Sequence, residues 1–89
     1  MNPTEDSLLT FPCDFPIKVF GLASDTFESN IITLVKEILP NFSSTAVEKR
    51  ESGGGKYHSL TLMVHVESRE QLDSIYHALT ASPLVLMAL

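Results

Sequence analysis

The sequence predicts an α+β sandwich of βαββαβ order, a four-stranded antiparallel sheet with two helices on one face. Three observations lead there. Leu60, Leu62, Val64 and Val66 alternate with Ser59, Thr61, Met63 and His65, the period-two pattern of a strand with one buried face. Two stretches, about 26–39 and 68–81, instead carry apolar residues at helical spacing behind capping residues. Shorter strand-like runs flank these elements, and right-handed crossovers close the set into a ferredoxin-like sandwich of strand order 4-1-3-2.

Residues 1–14 read as an N-terminal arm and 15–89 as the ferredoxin-like domain. Phe11-Pro12 and Phe15-Pro16 stiffen the lead-in, and Leu8, Leu9 and Phe11 are expected to dock on the domain. The first strand is Ile17 to Gly21, with Ile17 and Val19 on one face and Lys18 and Phe20 on the other. Asp25 stands as N-cap of the first helix with Glu28 in the capping-box position, and Phe27, Ile31, Leu34, Val35 and Ile38 form its buried stripe. Pro40 ends it. Thr45 to Glu51 reads as a polar edge strand with Val47 its core residue, its charges guarding against unwanted pairing. Gly53, Gly54 and Gly55 turn the chain into the central strand. Ser68 and Gln71 cap the second helix, whose stripe is Leu72, Ile75, Tyr76 and Leu79. Pro83 introduces the last strand, Leu84 to Leu89, apolar on both faces.

Composition bounds what this domain does. At 89 residues the chain holds one core, since a domain of this size buries only roughly 60–65% of its unfolded surface. Its 44% hydrophobic and 19% charged residues are those of a globular domain. One cysteine, Cys13, excludes an internal disulfide and any cysteine-based metal framework, and fits a reducing compartment. The first residues carry acids where a signal peptide needs bases, and no run approaches a membrane span, so the expectation is a cytoplasmic protein without membrane contact. A net charge of −5 with only six Lys and Arg argues against nucleic acid, and RNA recognition by this topology would need more aromatic rings on the central strands than Phe20 and Tyr57 provide.

Catalytic and cofactor chemistry finds little footing. Ser52-Gly53-Gly54-Gly55-Lys56 lacks the first glycine and the hydroxyl residue of a phosphate loop and leads into a strand rather than a helix. His58 and His65 lie an odd number apart on one strand and so face opposite ways, and His77 belongs to the second helix, so no metal site is expected. Ser59 follows His58 but points to the other face, away from a base. The expectation is a non-enzyme with no cofactor, catalytic residue or metal ligand. What remains is surface: Phe20, Met63, Leu84 and Leu86 are expected on the sheet face that the helices leave open, either as an interface for a partner protein or for a homodimer through that face or the edge strand, or covered by the arm with Leu8, Leu9 and Phe11.

Phe11-Pro12, Lys18-Val19-x-Gly21, Gly55-x-Tyr57-His58-Ser59, Gln71 with Tyr76 and Leu79, and the closing Val85-x-Met87-x-Leu89 together resemble the YbeD-like family of small bacterial proteins of unknown function. The resemblance spans nearly the whole chain. It implies a ferredoxin-like fold similar to ACT-type amino-acid-sensing domains and a regulatory role linked with lipoate metabolism, through a partner protein or small metabolite. It supplies no catalytic residues. An ACT-like mode would place a ligand at the loop of Gly21, Ser24 and Asp25, and it leaves Gly55, Tyr57, His58 and Ser59 as family markers of unknown role. Members of that family often carry a basic residue where this chain has Leu86.

Overall fold

The computed structural model describes residues 9–89. Its elements are β1 (Cys13–Leu22), α1 (Phe27–Ile38), a 3-10 turn (Ser44–Ala46), β2 (Val47–Ser52), β3 (Tyr57–Val66), α2 (Arg69–Ala81) and β4 (Met87–Ala88). The sheet runs β2-β3-β1-β4 and every pairing is antiparallel, the 4-1-3-2 order read from its other end. Both α1 and α2 pack on one face.

The core follows strand parity. Ile17 and Val19 from β1 and Leu60, Leu62, Val64 and Val66 from β3 are fully buried beneath Phe27, Ile31 and Val35 of α1 and Leu72, Ile75 and Leu79 of α2. Each such side chain contributes about 1.5–3 kcal/mol when removed from water. Leu9 and Phe11 pack against this cluster, while Leu8 lies outside the described residues.

Four boundaries depart from the sequence reading, each for a local reason. β1 begins at Cys13, ahead of Ile17, and runs through Phe15-Pro16, so strand pairing reaches into the stretch read as an arm. A proline fits there because β4 pairs only with Val19 and Phe20, so Pro16 withholds no donor from that side. Asp25 does not cap α1: Thr26 is the N-cap, in αR geometry, and makes no side-chain capping bond. Residues 44–46 wind into a 3-10 turn capped by Ser43, so β2 starts at Val47 instead of Thr45. The last strand shrinks to Met87–Ala88, because Ser82 holds the preceding residues in a turn: its hydroxyl accepts from the Leu84 N–H at 3.2 Å and its carbonyl from the Val85 N–H at 3.2 Å.

Elsewhere local chemistry and structure agree. Gly53, Gly54 and Gly55 have φ of 61°, 69° and 87°, a left-handed succession that only glycine adopts without strain. It sets Ser52 opposite Tyr57. Ser68 caps α2 by accepting from the Gln71 N–H at 3.1 Å, and the Gln71 side chain returns to accept from the Glu67 N–H at 2.7 Å.

Candidate functional site

The open face of the sheet is a mosaic, because the register sets unlike residues side by side. Phe20 lies between Ser59 of β3 and Met87 of β4, whereas Met63 lies beside Pro16. Phe20 and Met63 are thus separated along the sheet by roughly 13 Å, at about 3.3 Å per residue, with Lys18 and Thr61 in the row between them. They do not form one contiguous patch. Leu84 is not on this face: it lines a shallow depression with Asn30, Thr33 and Leu34 of α1. Leu86 sits at the β4 edge, 60% exposed, and its N–H donates to the Phe20 carbonyl at 2.8 Å. The apolar surface gathers instead along the β1–β4 margin, where half-buried Phe20 meets Met87, and Leu22 and Leu89 are 59% and 60% exposed.

The loop of Gly21, Ser24 and Asp25 is pinned rather than open. Gly21 is buried, and a Cβ there would stand 2.6 Å from the Leu84 carbonyl oxygen and clash with the Phe27 ring. Close packing therefore explains the glycine. The Ala23 N–H donates to the Lys56 carbonyl at 2.9 Å, tying the loop to the β2–β3 turn, and Ser24 and Asp25 stand exposed beside it.

The Tyr57-His58-Ser59 run is split by the pleat. Tyr57 is exposed on the open face opposite Leu22, and Ser59 lies half-buried on that face between Phe20 and Arg50. His58 turns the other way, 6% exposed, with its ring centroid 6.5 Å from that of Phe27 and its Nε2 3.6 Å from Glu51 Oε2. Its Nδ1 is buried without a hydrogen-bond partner among the described residues. Gly55 belongs to the turn.

His65 has the opposite surroundings. Exposed on the open face, it holds Asp14 Oδ1 at 2.8 Å through Nδ1 and Glu67 Oε2 at 3.2 Å through Nε2. The hydrogen bond that its Nδ1–H donates to Asp14 leads in raising its pKa above 6.5, with both carboxylate charges adding to it. Both ring nitrogens are thus engaged by carboxylates, and among the described residues no group of histidine, cysteine or carboxylate side chains has the arrangement to hold a metal. No helix among them is long and apolar enough to cross a membrane.

One cleft was not foreseen. It measures about 410 Å³ and lies between the segment after α1 and the far end of β3, with Ile38, Leu39, Phe42 and Ala46 on one wall and Met63, His65 and Glu67 on the other. Phe42 was its only sequence signal: an apolar side chain in the polar run Pro40-Asn41-Phe42-Ser43 needs a place to bury, and Phe42 is 8% exposed. His65 and Glu67 stand two apart on an extended chain and so meet on one face.

Comparison with known proteins agrees with this architecture. The protein HP0495 from H. pylori, known from a solution structure, superposes with a TM-score of 0.74 over 91% of this chain and 85% of its own, at 20% identity, which makes the fold a shared one. The UPF0250 protein of Ralstonia nicotianae is 47% identical over 88 residues, covering 99% of this chain and 91% of that protein. The UPF0250 protein of Nitrosomonas europaea is 45% identical over 86 residues, covering 97% and 99%. The family model described as "Protein of unknown function (DUF493)" matches residues 6–89. With its fold, its length and its sequence all shared in this way, the chain belongs to the DUF493/UPF0250 family, the YbeD-like small bacterial proteins of unknown function.

Proposed function

We propose that this protein is a non-enzymatic binding module, regulatory or adaptor in type, that docks on another protein through the β1–β4 margin of its sheet. The observation that carries the reading is the apolar strip there. Met87 is 49% exposed beside Phe20, and Leu22, Leu86 and Leu89 are each exposed by about 60% around them. A contiguous exposed apolar patch on a small domain is often functional. The two-residue β4 adds a short sheet edge, where a partner strand or a second copy of the chain would find backbone groups to pair with. The histidines support a role outside catalysis, because His65 is held by carboxylates on both nitrogens and His58 is buried against Phe27.

A photo-cross-linking residue placed at Met87, with one at exposed Ser74 on α2 as control, tests this in living cells. A discrete adduct at position 87 and none at 74 is the expected result, and its mass distinguishes a second copy from a different partner. No adduct at 87, or equal labelling at both, would overturn it.

A further inference from the structure

The cleft beside Met63–Glu67 has a feature that a small-molecule pocket does not require. β2 joins β3 only from Leu62 back to Tyr57, so among the described residues Met63 to Val66 has β1 on one side and no strand on the other. In an antiparallel ladder every second residue turns its N–H and C=O toward that side, and a row of such groups is a template for one more strand. The segment following α1 approaches this end of β3 through the turn Ser44–Ala46 without pairing with it, and the cleft is lined by both.

The two walls differ in the way an extended peptide would read. Ile38, Leu39 and Phe42 supply apolar surface on the helix side, with Asn41, Ser43 and Gln71 also in the lining, while Met63, His65 and Glu67 line the β3 side. Successive side chains of an extended segment point to opposite sides, so alternate residues would meet these two walls. None of the described residues lining the cleft is a lysine or an arginine. Its charge comes from Glu67 and, behind His65, Asp14: two carboxylates against one imidazole. That surplus is complementary to a basic side chain. The cleft volume also lies within the roughly 300–1,000 Å³ of small-ligand sites, and it is the unpaired strand edge that favours a peptide.

We propose that this cleft takes an extended segment of a partner protein by strand addition along Met63–Val66, apolar side chains turned to Ile38, Leu39 and Phe42 and Lys or Arg side chains turned to Glu67. The site lies at the sheet edge opposite β4, so its test can fail while cross-links at Met87 stand, and the reverse.

The experiment titrates the isotope-labelled full chain with an end-capped hexapeptide of alternating Val and Lys, followed by amide shifts. Controls are a Val and Glu alternation, the same Val and Lys composition in two blocks, and n-hexylammonium. Saturable shifts confined to residues 63–67 and the facing 38–46 segment are expected with the Val/Lys alternation alone. Glu67→Lys, a surface change, should weaken binding roughly two- to fivefold, the scale of one exposed charge pair. Three results would overturn the proposal: shifts elsewhere or none, equal binding of the block peptide, or occupancy by hexylammonium where the peptide fails, which would make the cleft a small-amine site.

Discussion

The two halves of β3 share a strand and little else. Tyr57 to Leu62 lies between β1 and β2, and its buried member His58 sits under Phe27 with a ring nitrogen that finds no partner. Among the described residues Met63 to Val66 pairs with β1 alone, and its exposed histidine, His65, is held by two carboxylates. The closed half spends a polar atom on packing; the open half keeps its histidine nitrogens paired and its backbone edge bare among the described residues. The two histidines, seven residues apart, thus owe their environments to pleat parity and to where β2 begins.

The largest effect should come from filling the closed half. Gly21 pairs with His58, and Gly21→Ala drives a Cβ against the Leu84 carbonyl and the Phe27 ring. A cost of about 1–3 kcal/mol is expected, as for overpacked cores, read as a lower urea midpoint. Met63→Ala in the open half, where the side chain is 46% exposed, should stay within about 0.5 kcal/mol. Equal losses at both positions would dissolve the contrast between the halves.

His58→Leu sharpens it further. An unsatisfied buried polar atom costs about 1–3 kcal/mol, and an apolar replacement of similar size is neutral or stabilising. Unfolding should show stability unchanged or raised by about 1 kcal/mol; a clear loss would mean that Nδ1 has a partner in solution or that the Nε2–Glu51 contact outweighs the unpaired nitrogen.

The smallest effect is electrostatic and sits in the open half. Because the folded pKa of His65 is raised above 6.5, its pairing contributes stability fully below pH 6.5, and that contribution is lost as pH rises through the raised value. Asp14→Asn should bring the His65 titration, followed by NMR, down toward 6.5 and flatten that dependence. An unchanged titration would show that the 2.8 Å contact does not persist.

How much of this was legible in the sequence depends on how local each cause is. The alternation of Leu60 to Val66, the glycine turn and the Ser68–Gln71 cap are decided by neighbours in the chain, and they fixed the element order and the core. β1 through Pro16, the short β4 and the position of Leu84 depend on which strand stops where, a tertiary fact with no local mark. Asp25 shows the limit of motif reading: a capping-box spacing was present, yet the helix starts one residue later behind Thr26. For the candidate sites, facing was readable and adjacency was not. Parity put Phe20 and Met63 on the open face, but only the register reveals Lys18 and Thr61 between them, Met87 beside Phe20, and the cleft where β2 has not yet begun.

Native-state hydrogen exchange along β3 tests the contrast most directly, with and without the Val/Lys peptide. The structure requires slow exchange for amides from Tyr57 to Leu62, which are flanked on both sides, and fast exchange for those of Met63 to Val66 that face away from β1. The peptide should slow that second set alone. Uniform protection along β3 in the free protein would contradict the account, because it would mean that the edge is already filled.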